Sequence, residues 1–191
     1  MGNRTKNRVG WFDFADFYDY IVSRFDDAVF VEIGTWKGAS IKYLAQEVRD
    51  TGKNIRLYGV DTFKGTTGEP TQQMDEAVLK DVLYETYLKN IESVKAYVTT
   101  IIGDSHEVHK RFEERSLDVV FIDGDHSYEA LLLDLAGWYP KVKQGGIIAG
   151  HDYYENFCSD TCGVAKAVNE FFFDEEISRF GKSVWYYEKR V

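Results

Sequence analysis

Short apolar runs alternate along the chain with longer segments in which apolar residues recur at helical spacing. The apolar runs predict buried strands, and a last segment of alternating character predicts a closing strand: Ala28–Ile33, Arg56–Val60, Val98–Ile102, Leu117–Ile122, Gly146–Ala149 and Ser183–Glu188. The segments with helical spacing predict helices over Phe12–Ser23, Ser40–Asp50, Met74–Ile91 (as one helix or two), His106–Arg115, Tyr128–Tyr139 and Val164–Phe172. This alternation indicates an α/β fold, in which helices cover both faces of a mostly parallel sheet.

Length and composition are typical of a soluble globular protein with one domain. The chain has 191 residues, of which 44% are hydrophobic and 29% charged, so we expect residues 1–191 to form a single domain. The sequence has no run of about 18 apolar residues that could cross a membrane, and its first residues lack the apolar core of a secretory signal. We therefore expect a cytoplasmic protein without a membrane partner. Cys158 and Cys162 are expected to be reduced thiols.

The charge of the chain argues against a nucleic-acid partner. Its 23 basic residues are outnumbered by 32 acidic ones, which gives a formal net charge of −9. A protein that binds the phosphates of a nucleic acid needs a basic surface, so the expected partner is a small molecule. Ligands of parallel sheets bind beyond the carboxyl ends of the strands, and the loops after the predicted strands are therefore the candidate site.

The loop after the first predicted strand, within Phe30–Ser40, contains two glycines and an acidic residue. Gly34 and Gly38 allow the backbone to turn sharply and to approach a ligand closely, and Ser40 can cap the helix that follows. The pattern lacks the G-x-G-x-x-G fingerprint of dinucleotide sites, and Glu32 would repel a phosphate. These residues favour a cationic nucleoside that carries an amino acid. A purely structural strand–turn–helix is the alternative.

The loops after the second and third strands also begin with polar residues. Asp61 follows the second strand, at the distance from the glycine turn where an acidic side chain meets ribose hydroxyls in nucleoside-binding folds. Gly103, Asp104 and Ser105 follow the third strand and are suited to hydrogen bonds with the edge of an adenine. Each has a structural alternative: Asp61 could belong to a solvated turn, and Asp104 or Ser105 could cap the helix predicted from His106.

The loops after the fourth and fifth strands contain the residues with catalytic potential. Asp123 and His126 follow the fourth strand, and His151 and Asp152 follow the fifth. Two carboxylates and an imidazole from neighbouring strand ends form a donor set for one divalent ion, with Mg²⁺ or Mn²⁺ favoured and zinc as an alternative. Such an ion would orient a substrate hydroxyl. Because the side chain of histidine ordinarily titrates near neutrality, a histidine at position 126 could act as a general base. Alternatively, these aspartates and histidines are structural groups at the rim of the sheet.

Taken together, these motifs resemble those of class I S-adenosylmethionine-dependent methyltransferases. The resemblance covers the chain from about Val29 to Asp152, and the nearest group is the bacterial metal-dependent O-methyltransferases similar to macrolide-sugar and catechol enzymes. The segments that carry it are Glu32–Ser40, Asp61, Gly103–Ser105, Phe121–Tyr128 and Gly145–Asp152. It implies a Rossmann-like three-layer sandwich with a seven-stranded sheet, whose antiparallel last strand would be Ser183–Glu188.

The resemblance also implies roles for individual residues. In the cofactor site it implies Glu32, Gly34, Gly38 and Ser40 at the methionine end, Asp61 at the ribose, Gly103, Asp104 and Ser105 at the adenine, and Asp123 beside them. Asp123 would also be the first metal ligand, and His151 with Asp152 falls where relatives place an adjacent pair of ligands. His151 departs from the Asp-Asn or Glu-Asp pairs of those relatives. His126 falls where they carry a lysine or a histidine near the reacting hydroxyl, so the implied catalytic residues are Asp123 and His126.

The function that these residues favour is transfer of a methyl group from S-adenosylmethionine to a hydroxyl of a small, polyhydroxylated molecule, assisted by Mg²⁺ or another divalent metal. Residues 64–95 would form a substrate lid. The N-terminal helical segment, residues 1–27, would pack on the core, cover the cofactor or form a homodimer. Two alternatives remain open: a nicotinamide-dependent oxidoreductase on a Rossmann sheet, and a nucleoside-binding module without catalytic activity.

Overall fold

The computed structural model describes residues 12–66, 70–154 and 163–190. Within them, seven strands form one sheet: β1 (Asp27–Ile33), β2 (Asn54–Asp61), β3 (Val98–Ile102), β4 (Leu117–Ile122), β5 (Val142–Gly150), β6 (Ser178–Phe180) and β7 (Val184–Glu188). Their order is β3-β2-β1-β4-β5-β7-β6. The neighbours among β1 to β5 are parallel, and β7 runs antiparallel to both β5 and β6. The predicted α/β class, with a mostly parallel seven-stranded sheet and an antiparallel last strand, is confirmed.

Helices cover both faces of the sheet. In the described part of the chain they are α1 (Ala15–Arg24), α2 (Ala39–Thr51), α3 (Pro70–Gln73), α4 (Glu76–Leu79), α5 (Leu83–Ile91), α6 (Ser105–Val108), α7 (Tyr128–Trp138) and α8 (Val164–Phe171). Short 3₁₀ helices follow α5, α6 and α7 at Glu92–Tyr97, His109–Arg111 and Tyr139–Lys141. The buried side chains of α1, α2 and α5 pack on one face of the sheet, and those of α7 and α8 pack on the other.

The middle of the sheet consists of strands that are buried along nearly their whole length. Every residue of β4 is buried, and β1 is exposed only at Asp27. This fits their continuous apolar runs, because a parallel strand that is covered on both faces has no solvated face. The strand order reverses between β1 and β4, so a ligand is expected at the carboxyl ends of these two strands.

Aromatic side chains in and just before α1 are part of the core. Phe14, Phe17 and Tyr18 are at most 4% exposed. The centres of their rings lie 4.8, 5.7 and 5.2 Å from that of Phe121 on β4. The N-terminal helix therefore packs on the core of its own chain, which is one of the three arrangements expected from the sequence. The homodimer stays a prediction.

Some details of the secondary structure differ from the predictions. The sequence pattern does not predict β6, because its three residues form no apolar run and are held by pairing with β7. The helix predicted over His106–Arg115 is α-helical only as far as Val108 and ends in a 3₁₀ turn. Within Met74–Ile91, the helical structure is interrupted between α4 and α5, where Asp81 has a φ of 55°.

Several predicted features lie outside the described residues. They are Cys158, Cys162, residues 1–11 of the N-terminal segment and residues 67–69 of the expected lid. Over the ranges that are described, no helix combines the length and the apolar character needed to cross a membrane.

Candidate active site

The turn after β1 directly contacts the end of β4. Gly34 has a φ of 83°, and a Cβ atom at this position would lie 2.0 Å from the carbonyl oxygen of Asp123. The amide of Asp123 donates a hydrogen bond to the carbonyl of Ile33 at 2.8 Å. Only glycine fits such a left-handed and crowded position. Gly34 therefore allows the turn Gly34–Gly38, which we call the cofactor turn, to contact Asp123, the first residue after β4.

A cavity of about 280 Å³ opens at the carboxyl ends of β1 to β4. We call it the cofactor cavity, because it is lined by six residues that were predicted to bind the cofactor: Gly34, Asp61, Gly103, Asp104, Ser105 and Asp123. Three further predicted residues, Glu32, Gly38 and Ser40, are not among the described residues that line it. Sequence reasoning missed the other lining residues, among them Trp36, Thr66, Gln72 and His106. These four lie in loops or short helices whose composition carries no signal of ligand binding.

Glu32 lies behind this cavity and is enclosed by protein. Its two carboxylate oxygens accept hydrogen bonds from the hydroxyls of Tyr18, at 2.8 Å, and Ser40, at 2.5 Å. Burial raises the pKa of Glu32 to about 8, although both hydrogen bonds act in the opposite direction. Glu32 and Ser40 therefore join α1, β1 and α2 beneath the cofactor turn.

Gly38 shapes the same turn from the side of α5. It has a φ of 82°, and a Cβ atom there would lie 2.9 Å from the side chains of both Tyr87 and Ile91. Its amide donates to the carbonyl of Thr35 at 2.7 Å and closes the turn. The glycine thus allows α2 to begin against α5, and it does so without facing the cavity.

Asp61 ends β2 and faces the cofactor cavity, where its carboxylate also organises two loops. It accepts hydrogen bonds from the amides of Trp36 and Phe63, both at 2.7 Å. Burial raises the pKa of Asp61, while these amide bonds act to lower it. Trp36 and Phe63 have φ values of 47° and 56°, so the carboxylate stabilises two uncommon backbone conformations. These two hydrogen bonds hold the carboxylate of Asp61 in one orientation at the cavity.

The loop after β3 lies between the cofactor cavity and α7. The carboxylate of Asp104 accepts from the amide of His106 at 2.9 Å and caps α6, as the structural alternative predicted. Ser105 is hydrogen-bonded to the buried Asp134, whose pKa burial raises to about 6. The Nε2 atom of His106 lies 3.2 Å from the carbonyl oxygen of Ala130 on α7. Contacts with α7 therefore hold the wall of the cavity where an adenine is expected.

Three side chains from two strand ends converge beside the cofactor cavity, and we call them the Asp–His–Asp cluster. The Nε2 atom of His126 lies 3.5 Å from Oδ1 of Asp123 and 3.2 Å from Oδ2 of Asp152. One ligand atom from each residue lies within 4.8 Å of the others. Burial would raise the pKa of Asp152, but the hydrogen bond from His151 and the nearby His126 hold it below its usual range. This donor set has the spacing and the chemistry to hold one divalent ion.

His151 lies beside this cluster. Its Nδ1 atom is 3.1 Å from Oδ2 of Asp152 and 3.7 Å from Oδ1 of Asp123, and its Nε2 atom is 2.9 Å from Oδ1 of Asp13. Burial would lower the pKa of His151, but the hydrogen bond to Asp152 and the carboxylates of Asp123 and Asp13 raise it to about 9. The metal set that the sequence predicts is Asp123, His151 and Asp152. The structure brings His126 to the same two carboxylates and leaves Nδ1 of His151 beside them.

The backbone supports both of the loops that form the cluster. Asp152 has a φ of 57°, a conformation that is uncommon for any residue except glycine. The carbonyl of His126 accepts from the amide of Gly163 at 2.7 Å. A Cβ atom at Gly163 would lie 2.1 Å from the amide nitrogen of Tyr128, so the start of α8 packs tightly against the start of α7. The positions of His126 and Asp152 are therefore built into the fold.

A second cavity, of about 200 Å³, opens at the same end of the sheet on the side of β6 and β7. Its lining includes three phenylalanines, two aspartates and a lysine: Phe14, Phe17, Phe180, Asp13, Asp16 and Lys182. Because Asp13 is hydrogen-bonded to His151, this cavity adjoins the Asp–His–Asp cluster. Sequence reasoning missed it, since it arises where the start of α1 packs against the turn between β6 and β7.

Comparison with known proteins relates the chain to methyltransferases. A family model described as "Methyltransferase domain" matches residues 31–153, which is more than half of the chain. The uncharacterized protein R132 of Acanthamoeba polyphaga mimivirus is 27% identical over 158 residues, and the match covers 81% of this chain and 64% of R132. The chain thus spans less than two thirds of the length of this relative.

Solved structures share the fold. The O-methyltransferase NovP matches with a TM-score of 0.69 at 20% identity, over 93% of this chain and 78% of NovP. The MycE methyltransferase of the mycinamycin biosynthetic pathway, solved in complex with Mg, SAH and mycinamycin VI, matches with a TM-score of 0.58 at 16% identity, over 93% of this chain and 50% of MycE. The family match over residues 31–153 includes both the cofactor turn and the Asp–His–Asp cluster. This chain therefore belongs to the methyltransferase domain family, among the class I S-adenosylmethionine-dependent methyltransferases.

Proposed function

We propose that this protein transfers a methyl group from S-adenosylmethionine to a hydroxyl of a small, polyhydroxylated molecule, with a divalent metal held at the Asp–His–Asp cluster. The observation that carries the proposal is the contact between Gly34 and Asp123, which puts the cofactor turn next to the cluster. A methyl donor in the cofactor cavity and a hydroxyl at the cluster would be neighbours. Their alignment supplies most of the acceleration, because the sulfonium is already a good leaving group.

The chemistry of the cofactor cavity favours a sulfonium nucleoside over a dinucleotide. Asp61, Asp104 and Asp123 line the cavity, and its described lining residues include no lysine or arginine. A pyrophosphate would be repelled by these carboxylates, whereas a cationic cofactor would be attracted. The carboxylate of Asp61, held by two amides, is the acceptor that we assign to the ribose.

The cluster fits a hard divalent ion such as Mg²⁺ or Mn²⁺. Such ions are commonly held by one or two carboxylates together with oxygens of the substrate, and Asp123 and Asp152 would supply the carboxylates. When bound, the ion orients substrate hydroxyls and lowers their pKa. We assign proton acceptance to His126, whose Nε2 atom lies 3.5 Å from Oδ1 of Asp123 and 3.2 Å from Oδ2 of Asp152. Because a nitrogen that accepts the proton cannot also bind the ion, the two carboxylates are the protein ligands in this assignment.

We place the acceptor on the side of β6 and β7. The cofactor cavity occupies the opposite side of the cluster, so an acceptor that meets the methyl group in line must come from the side of the second cavity. Asp13 and Asp16 can accept hydrogen bonds from hydroxyl groups, and the partly exposed Phe180 offers an apolar contact for a ring. The net charge of −9 supports a small molecule over a nucleic acid as the acceptor.

The variant Asp123→Asn tests the proposal. It keeps the size of the side chain and removes its charge, so we expect calorimetry to show that the variant still binds S-adenosylhomocysteine. We expect metal-dependent turnover to fall by about 100-fold or more. Turnover is measured as release of S-adenosylhomocysteine across a panel of hydroxylated acceptors, with Mg²⁺ and with EDTA. The matched control is Asp174→Asn, which replaces an exposed aspartate after α8.

Three outcomes would count against parts of the proposal. Turnover of Asp123→Asn equal to that of the wild type would refute the role of the metal. Thermal stabilisation of the wild type by NAD, but not by S-adenosylmethionine, would refute the methyl donor. Binding of S-adenosylmethionine without turnover of any acceptor in the panel would favour a nucleoside-binding module.

A further inference from the structure

The side chain of His151 is fixed between two aspartates. It is 8% exposed, and the centre of its ring lies 4.7 Å from that of Phe14. Its Nδ1 atom is 3.1 Å from Oδ2 of Asp152, and its Nε2 atom is 2.9 Å from Oδ1 of Asp13. A chain of hydrogen bonds thus runs from the residues before α1, through His151, to the Asp–His–Asp cluster.

This geometry argues against His151 as a metal ligand. A ligating nitrogen directs its lone pair at the ion, and an Mg²⁺ ion would lie about 2.1 Å from it. The Nδ1 atom of His151 is instead hydrogen-bonded to the carboxylate of Asp152, 3.1 Å away. Because a carboxylate only accepts hydrogen bonds, Nδ1 donates here and presents no lone pair to an ion. The Nε2 atom points away from the cluster, towards Asp13. In this arrangement, neither nitrogen of His151 offers a lone pair to the cluster.

We propose that His151 is a positioning residue: held by Asp13, it points the carboxylate of Asp152 at the cluster and does not bind the ion. The proposal rests on the metal site of the proposed function. Asp152 needs such support because its backbone is in the left-handed region, with a φ of 57°. A carboxylate also rotates about its own bond unless hydrogen bonds fix it, and residues that orient metal ligands typically change metal affinity by about 10- to 100-fold.

The proposal makes the residues before α1 part of the active site. The side chain of Asp13 is 64% exposed, so its hydrogen bond to His151 contributes little to the stability of the fold. Removing Asp13 should therefore affect the cluster and leave the rest of the protein intact. Replacing the buried His151 also disturbs its packing against Phe14, so Asp13→Ala is the milder of the two perturbations.

The proposal can be tested without a methyl acceptor by measuring the affinity of the full chain for Mn²⁺. The electron paramagnetic resonance signal of free Mn²⁺ reports how much of the ion is bound. We expect about 10-fold weaker binding in Asp13→Ala and about 10- to 100-fold weaker binding in His151→Gln. The double variant should bind no more weakly than His151→Gln alone, because Asp13 acts through His151. The matched control is Asp19→Ala, which replaces an exposed aspartate of α1 that lines neither cavity and should leave Mn²⁺ affinity unchanged.

Electron spin-echo spectra of the bound Mn²⁺ separate positioning from ligation, since they register nitrogen atoms that bind the ion. We expect the coupling between Mn²⁺ and nitrogen in His151→Gln to equal that in the wild type. Any coupling that arises from His126 would be the same in both proteins. A coupling that is present in the wild type and lost in His151→Gln would overturn the proposal. So would equal affinity for Mn²⁺ in the wild type and in Asp13→Ala.

Two further measurements make the failures distinguishable. Thermal unfolding and affinity for S-adenosylhomocysteine should be the same in Asp13→Ala as in the wild type, which shows that the variant is folded. If the wild type binds S-adenosylhomocysteine but no Mn²⁺, the metal part of the proposed function fails, and the role of His151 fails with it. If the wild type binds Mn²⁺ and Asp13→Ala binds it equally well, only the role of His151 fails.

Discussion

Replacing Glu32 with glutamine should change how the stability of the protein depends on pH. Burial raises the pKa of Glu32 from an ordinary 4.5 to about 8 in the folded chain. Between these two values the unfolded chain has lost a proton that the folded chain retains, so unfolding releases a proton. The resulting stabilisation is fully present below about pH 4.5 and is lost as the pH rises through about 8.

The size of the effect follows from the burial of the carboxyl group. Each pH unit within this window changes the free energy of unfolding by about 1.4 kcal/mol, so the whole window corresponds to about 5 kcal/mol. Solvent screening reduces this free energy only slightly, because Glu32 is 1% exposed. Glutamine has the same size and can hydrogen-bond with Tyr18 and Ser40, but it does not titrate. The variant should therefore lose this part of the pH dependence.

Urea unfolding of the two proteins between about pH 5 and pH 8 measures the effect. The free energy of unfolding of the wild type, relative to that of Glu32→Gln, should fall by about 4 kcal/mol over this range. The control Glu85→Gln replaces an exposed glutamate of α5 and should follow the wild type. Parallel pH profiles for the wild type and Glu32→Gln would show that Glu32 is ionised in the folded protein, and would refute the reasoning.

Three further substitutions separate the site from the rest of the fold. Gly34→Ala should lower the free energy of unfolding by about 2–5 kcal/mol and abolish binding of S-adenosylhomocysteine in calorimetry, because the added Cβ would lie 2.0 Å from a backbone oxygen of Asp123. Gly52→Ala, at a φ of 66° with open space around it, should cost only about 1–2 kcal/mol and leave that binding unchanged. Asp118→Ala leaves the amide of Val29 without its acceptor and should lower the free energy of unfolding in urea by about 1–3 kcal/mol. Binding of S-adenosylhomocysteine should again be unchanged. Weakened binding would show that the two ends of the sheet are coupled.

The sequence by itself determined which residues meet at the edge of the sheet. Continuous apolar runs mark the buried strands, and each run stops where its strand ends. A parallel sheet then brings Asp61, Asp123 and Asp152 to one edge, whatever the side chains between them are. Gly34 was recognisable for a similar local reason, since a turn that approaches another backbone needs a residue without a Cβ atom.

Elements without a local pattern needed the tertiary structure. The three residues of β6 form a strand because they pair with β7, not because of their own composition. The side chain of Glu32 faces away from the cofactor cavity, since alternation along β1 directs it towards Tyr18 and Ser40. The sequence shows only that an acidic residue stands before the turn, and the direction of its side chain depends on what packs against the strand.

The two histidines of the site show most clearly what only the tertiary structure decided. In the sequence, His126 and His151 are alike, each close to an aspartate at the end of a strand. The fold separates them, because Asp13 and Phe14 pack against His151 and Asp13 engages its Nε2 atom. The Nε2 atom of His126 lies instead beside Asp123 and Asp152. The second cavity has the same origin, in contacts between the two ends of the chain. Patterns in a sequence report local structure, and contacts between distant segments become visible only when the chain is folded.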